Sequence, residues 1–288
     1  MKFRYSKIMK TSITSILLLV TISSFAHPGI GIVMDSKGNV YYTDLTQVFK
    51  IDINGKKTVV VKNVHTHELY IDKSDNLFGE HLWYGGEQTN EWWHYVWKLD
   101  TKGSLKNVLP PTKGFRSQHS FVKDMHENGY WVNDNGPGCL QLRKISRQQS
   151  TVIVVDSCLN KVHWLHASRS GNLYFTNGRT LAKVDQLGRV KPLAIVGKHS
   201  GTPMATDYYI SGLSTDAAEN VYVADYTSGQ VKKVTANGRT SIFHTTQTLW
   251  APTGTLMAPN GDLWILECSP NNQVRVEKIS RDGTRTIY

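Results

Sequence analysis

Three of the chain's 11 histidines, His67, His119 and His163, each stand five residues ahead of the first residue of a polar turn, at Asp72, Asp124 and Ser168. Neutral imidazole nitrogens bind zinc at about 2.0–2.1 Å, and three protein ligands leave a fourth position open to water or substrate. Such a ligand set favours zinc or another first-row transition ion over calcium. Turns of the same kind elsewhere put Ile30, Ser211 and Thr253 at the same place, so histidine fills three consecutive members of one six-membered column. A single histidine at a strand end is ordinarily a hydrogen-bonded polar residue. The shared column is what points to a metal.

A second column closes on polar residues throughout: Asp44, His81, Asn133, Asn177, Asp225 and Glu267. Such a ring binds a polar ligand or orients metal-bound imidazoles, although Asp and Asn at strand ends also cap turns. Between Glu80 and His94 the chain carries an insertion with Trp83, Tyr84, Trp92, Trp93 and the pair Gly85-Gly86. It is expected to be a long loop near His67, either hinged over a ligand or packed on its neighbours. His81, Trp83, Trp92, Trp93, Asn133, Asn177 and Asp225 are the expected substrate contacts. Arg116, Tyr84 and Glu267 are the expected catalytic groups, with Tyr209 and Arg179 as weaker candidates. His65 and Glu68 flank His67, with Glu68 turned to the opposite side by strand alternation. No Gly-x-Ser-x-Gly elbow, phosphate loop, His-Glu-x-x-His or Cys-x-x-Cys pair is present, which argues against the chemistries those motifs serve.

Both columns come from a repeat. Six segments share a pattern of alternation ending on a polar residue: Asn39–Asp44, Asn76–His81, Asn128–Asn133, Asn172–Asn177, Asn220–Asp225 and Asp262–Glu267. Each is followed by a second alternating run, at Val48–Asp52, Val96–Asp100, Leu142–Ser146, Leu181–Asp185, Val231–Thr235 and Val276–Ser280. Strand-length alternation bounded by Gly, Asn and Asp marks antiparallel strands, and four strands recurring about every 40–50 residues mark propeller blades. The expected fold is all-β, a six-bladed β-propeller of four-stranded blades over residues 27–288. The last blade supplies its own outer strand at Arg285–Tyr288, so closure should rest on packing of blade 6 against blade 1.

With units such as Asp35-Ser-Lys-Gly38-Asn39-Val-Tyr and Asp216-Ala-Ala-Glu-Asn220-Val-Tyr, the chain resembles NHL-type and gluconolactonase-like six-bladed propellers. Its histidine column is similar to that of peptidyl-hydroxyglycine amidating lyases, where zinc is held at the same strand start; this resemblance implies His67, His119 and His163 as ligands. In that family the histidines are spread around the ring, whereas here they sit on adjacent blades. The acidic and amide ligands of gluconolactonases are missing from the column.

The N-terminal segment carries Lys2, Arg4, Lys7 and Lys10, an apolar run around Ile16–Val20 and small residues at Ser24-Phe25-Ala26, the layout of a cleavable signal peptide over residues 1–26. A periplasmic or secreted protein beginning at His27 is expected, with no membrane span. An N-terminal histidine also chelates copper. Four of the basic residues behind the formal charge of +10 belong to this leader, and the rest are scattered, which argues against a nucleic-acid partner. Of Cys139, Cys158 and Cys268, export permits a bond, expected between Cys139 and Cys158 in loops on one face of adjacent blades, with Cys268 free. The expected protein is a monomer acting on a small-molecule or peptide ligand at the channel mouth. It is read as a metal-dependent hydrolase or lyase or, alternatively, as a non-catalytic binding propeller.

Overall fold

The computed structural model describes residues 29–116, 118–146, 151–159, 161–197 and 211–288, and the backbone alone for residues 118–120, 156 and 157. The leader, His27, Tyr209 and the side chain of His119 lie outside the described residues. Each repeat forms four consecutive antiparallel strands, and among the described residues there is no helix. Blade 1 holds β1 (Ile32–Met34), β2 (Val40–Thr43), β3 (Gln47–Ile51) and β4 (Lys57–Lys62). Blade 2 holds β5 (Leu69–Ile71), β6 (Leu77–Tyr84), β7 (Trp92–Leu99) and β8 (Leu105–Lys113). Blade 3 holds β9 (Gln118–Lys123), β10 (Gly129–Asp134), β11 (Leu140–Ile145) and β12 (Thr151–Leu159). Blade 4 holds β13 (Trp164–Ala167), β14 (Leu173–Asn177), β15 (Thr180–Val184) and β16 (Val190–Ile195). Blade 5 holds β17 (Leu213–Thr215), β18 (Val221–Asp225), β19 (Gln230–Val234) and β20 (Thr240–Thr245). Blade 6 holds β21 (Ala251–Met257), β22 (Leu263–Cys268), β23 (Val274–Ile279) and β24 (Arg285–Ile287). The first strand of every blade touches the first strands of both neighbouring blades, closing an inner ring.

Strand alternation sends successive side chains to opposite blades. Val40 and Tyr42 join a cluster shared with blade 6, while Tyr41 between them packs toward blade 2. Inner positions are therefore covered on both faces: every residue of β18 and β22 is buried, whereas β24 is exposed throughout.

The turn between the first two strands is held by its leading aspartate. The Asp35 carboxylate accepts from the Lys37 and Asn39 amides, the Asn39 side chain and the Tyr41 hydroxyl. Asp124 does the same with His126, Asn128 and Tyr130. The turn's fourth position is left-handed, filled by Gly38 (φ 85°), Gly171 (φ 82°) and Gly261 (φ 90°) but also by Asp75 (φ 60°), Glu127 (φ 62°) and Glu219 (φ 60°). The acidic residues offset that strain by fastening the preceding blade. Asp75 accepts from the Ser36 amide and hydroxyl, Glu127 from the Lys73 amide, and Glu219 from Ser170, Asn172 and Tyr174.

Closure uses no shared strand. Ile32, Val40, Tyr42 and Ile51 of blade 1 pack with Trp264, Leu266 and Val276 of blade 6, and Tyr288 stacks on Trp264. Clusters of buried apolar side chains likewise fill the seams between blades 1 and 2, 3 and 4, 4 and 5, and 5 and 6. Among the described residues no such cluster fills the seam between blades 2 and 3.

Candidate functional site

The seam between blades 2 and 3 is instead polar at its upper end, where the inner strands begin. Residues 64–67 lead into β5 and are tied to β6: the Leu82 amide donates to the His65 carbonyl, and the His65 amide donates to Nδ1 of His81. This pins two imidazoles on one side, with His65 Nε2 and His67 Nε2 3.1 Å apart and their rings edge to face. Behind His67, its Nδ1 lies 3.6 Å from Glu80 Oε1, ion-pair range but beyond a direct hydrogen bond. Arg116, in the connection from β8 to β9, lies over the Phe121 ring at 4.8 Å. Burial lowers the pKa of its guanidinium, while the charges of Glu80 and Glu68 raise it. Glu80 and two histidines thus stand together, with the Arg116 charge in electrostatic reach.

The arrangement can hold a transition metal. Two nitrogens each about 2.0–2.1 Å from a tetrahedral ion stand about 3.4 Å apart, close to the separation of the two Nε2 atoms. Without an ion, the same separation is a hydrogen bond from one ring N–H to the other ring's lone pair. Glu80 stands where a carboxylate orients a metal-bound imidazole through its second nitrogen. The backbone of His119 follows on β9.

Glu68 faces elsewhere, as strand alternation requires. With Ile30, Leu69, Phe121, Trp164 and Leu213 it lines a cavity of about 110 Å³ on the axis, and His67 and His163 are not among its lining residues. His163, half-buried ahead of β13, donates its backbone amide to the Thr176 carbonyl.

The blade 2 insertion is strand rather than the expected loop. β6 and β7 continue as one ladder pairing His81 with Tyr95, Trp83 with Trp93 and Tyr84 with Trp92, and Gly85-Gly86 lie in the turn at its tip. One face stacks His81 on Trp83 and Tyr95, and Trp83 on Trp93, with Lys113 over the Trp93 ring. Burial lowers the pKa of His81; as Nδ1 accepts from an amide, its proton sits on Nε2. The other face presents Tyr84, Trp92 and Phe115, exposed by 40%, 40% and 62%. Tyr84 donates its hydroxyl to Asn90.

The second column does not form one ring of ligand contacts. Asn133 bonds the Asp134 carbonyl, and Asn177 is the exposed last residue of β14. Asp225 is fully buried in an ion pair with Lys232, whose ammonium also donates to the Val196 carbonyl of blade 4. Glu267, also fully buried, accepts from Arg275 Nε at 2.5 Å; burial pushes its carboxyl above the ordinary range despite that partner. Both carboxylates are taken by the adjoining strand of their own blade, and only the Lys232 ammonium reaches on to the next one. Arg179 is exposed beside Asn177. The sequence did not single out Glu80 as a partner of His67, and it offered His65 as a companion only on the condition that the strand starts early. The His-x-His spacing, which places two rings on one side of an extended segment, was the available signal.

No family model matches the chain, and no curated protein matches it. Solved structures do. A streptogramin B lyase shares 13% identity at a TM-score of 0.55, covering 90% of this chain and 82% of that one. The calcium-binding protein regucalcin from Agrobacterium tumefaciens shares 14% identity at 0.53, covering 83% and 81%. A luciferin-regenerating enzyme shares 14% identity at 0.54, covering 85% of each chain. Likeness at such identities concerns the fold alone: the chain is a six-bladed β-propeller of the shape these proteins share.

Proposed function

We propose that the chain is an exported propeller enzyme, a zinc-dependent hydrolase or lyase acting on a small polar substrate at the upper end of the seam between blades 2 and 3. The convergence of His65 Nε2 and His67 Nε2 at 3.1 Å, with Glu80 behind His67, carries the reading. His67, His119 and His163 remain the proposed ligands, with His65 beside them. Bound zinc would supply a Lewis acid for a substrate oxygen and lower the pKa of water. Glu80 holds the His67 ring in place, Arg116 offers a positive charge to a substrate oxygen, and the β6–β7 hairpin excludes water from one side. Lyases with this architecture make the reaction class reasonable. The Cys139–Cys158 bond, which joins the start of β11 to the end of β12, supports export to an oxidising compartment.

The test is metal analysis of the leaderless protein beside its variants. His67→Ala should lose one equivalent of zinc, and Glu80→Gln should weaken zinc binding by about 10- to 100-fold. Zinc content unchanged in His67→Ala, or a wild type that cannot be loaded, would remove the proposal. The exposed row of Tyr84, Trp92 and Phe115 favours a second reading, a non-catalytic binding propeller.

A further inference from the structure

Where blades 5 and 6 meet, three side chains outside the proposed site converge. His244 on β20, Glu267 on β22 and Glu277 on β23 bring one ring nitrogen and one oxygen of each carboxylate within 4.8 Å of one another. Both glutamates are fully buried. Each is fastened from outside by an arginine: Arg275 Nε donates to Glu267 Oε2 at 2.5 Å, and Arg285 Nε donates to Glu277 Oε1 at 2.5 Å. Arg275 is itself clamped, lying over the Trp250 ring at 4.1 Å and donating through Nη1 to Gln247.

The arginine Nε donors are therefore spent on one oxygen of each carboxylate, and the other oxygens are left to the interior. Glu277 Oε2 lies 3.0 Å from His244 Nε2. Glu267 Oε1, though wholly buried, has no hydrogen-bond partner among the described residues, and neither has Nη2 of the Arg275 guanidinium that holds its other oxygen. A buried carboxylate oxygen without a hydrogen bond is costly, and Glu267 lies in one cluster with the Glu277 carboxylate and the His244 ring, whose Nε2 is also 3.5 Å from Arg285 Nη2. A proton on His244 Nε2 serves Glu277 and leaves Glu267 Oε1 as it is, whereas a cation would engage all three groups. One imidazole nitrogen with two carboxylate oxygens suits a first-row divalent ion such as manganese or zinc. Two arginines nearby oppose an added positive charge, but Arg285 has a 46% exposed side chain, so solvent screens much of its share.

We infer that His244, Glu267 and Glu277 form a second divalent-cation site, a structural one that locks the outer strand of blade 5 to the middle strands of blade 6. Arg275 and Arg285 are positioning residues that aim the carboxylates inward.

Manganese(II) is the probe. The full chain is stripped with a chelator and titrated with the metal, free ion being read by electron paramagnetic resonance and thermal unfolding followed in parallel. Wild-type protein should take up manganese and unfold at a higher temperature when loaded. His67→Ala should keep this uptake, whereas His244→Gln and Glu267→Gln should each lose it, separating this site from the one at blades 2 and 3. Wild-type protein that takes up no manganese at millimolar concentration, or uptake unchanged in both His244→Gln and Glu267→Gln, overturns the inference. Uptake absent from His67→Ala also overturns it, and this readout needs neither the His244 nor the Glu267 variant to fold.

Discussion

His166 shows how a buried ring gives the fold a pH dependence. It points into the blade 4–5 seam with Nε2 3.0 Å from the Thr215 hydroxyl, and burial pushes its pKa down to about 4, against a weaker upward pull from Glu219. An unfolded histidine titrates near 6.5, so between these values the unfolded chain binds the extra proton and the native state does not. Stability should thus be flat above about pH 6.5 and fall progressively toward pH 4. Urea midpoints at pH 7 and pH 5 should differ less in His166→Gln than in wild type, and equal acid sensitivity of the two would show that His166 is not the source. The pair His65 and His67 is a different residue-scale matter. Their function depends on a 3.1 Å approach that spacing makes possible, but the bonds from His65 to β6 hold it.

At the scale of elements, blade 2 departs from its siblings because β6, β7 and β8 run to 8, 8 and 9 residues, raising an aromatic hairpin. Cross-strand aromatic pairs stabilise such a ladder, and the same pairs leave one face packed and the other facing water. Replacing Trp92 and Trp93 by alanine should leave zinc content unchanged while weakening capture of small esters, lactones or peptides in a binding screen. Capture that survives a chelator but fails in this double variant would select the non-catalytic reading. Capture lost to the chelator alone would select the metal enzyme. The Cys139–Cys158 bond forms as expected but within one blade, between the start of β11 and the end of β12, where the sequence had put the two residues in loops of adjacent blades; Cys268 is buried and free.

For the whole molecule, the demanding step is closing the ring. Inner strands approach so closely that a Cβ on Gly254 of blade 6 would stand 2.6 Å from the Ile30 carbonyl of blade 1, and 3.2 Å from Ile32. Neither backbone can yield without moving its blade, so Gly254→Ala should destabilise the propeller by about 1–3 kcal/mol, the usual range for overpacking. Denaturant unfolding measures this, and a midpoint equal to that of wild type would mean the seam is looser than described. Five seams are held by apolar clusters, and the described residues show none between blades 2 and 3. The exceptional seam is the one that holds His67, Glu80 and Arg116.

Blade count, strand order, the disulfide pair and the placement of His67 at an inner strand start were all legible in the chain, because alternation and turn chemistry are local and recur six times. The register also located Asp225 and Glu267 correctly at the ends of second strands. It could not say that their carboxylates are taken by Lys232 and Arg275, since a repeat position fixes height along a strand and leaves open which side chain of the adjoining strand of the blade reaches across. The hairpin of blade 2 was hidden for a related reason: Trp83 and Trp93 acquire a reason to be strand only when each faces the other. Local pattern by itself determined the propeller, and only the folded blades decided which polar side chains meet: cross-strand partners such as Glu267 and Arg275 face each other once a blade is formed, and partners such as His244 and Glu277 meet only once one blade packs on the next.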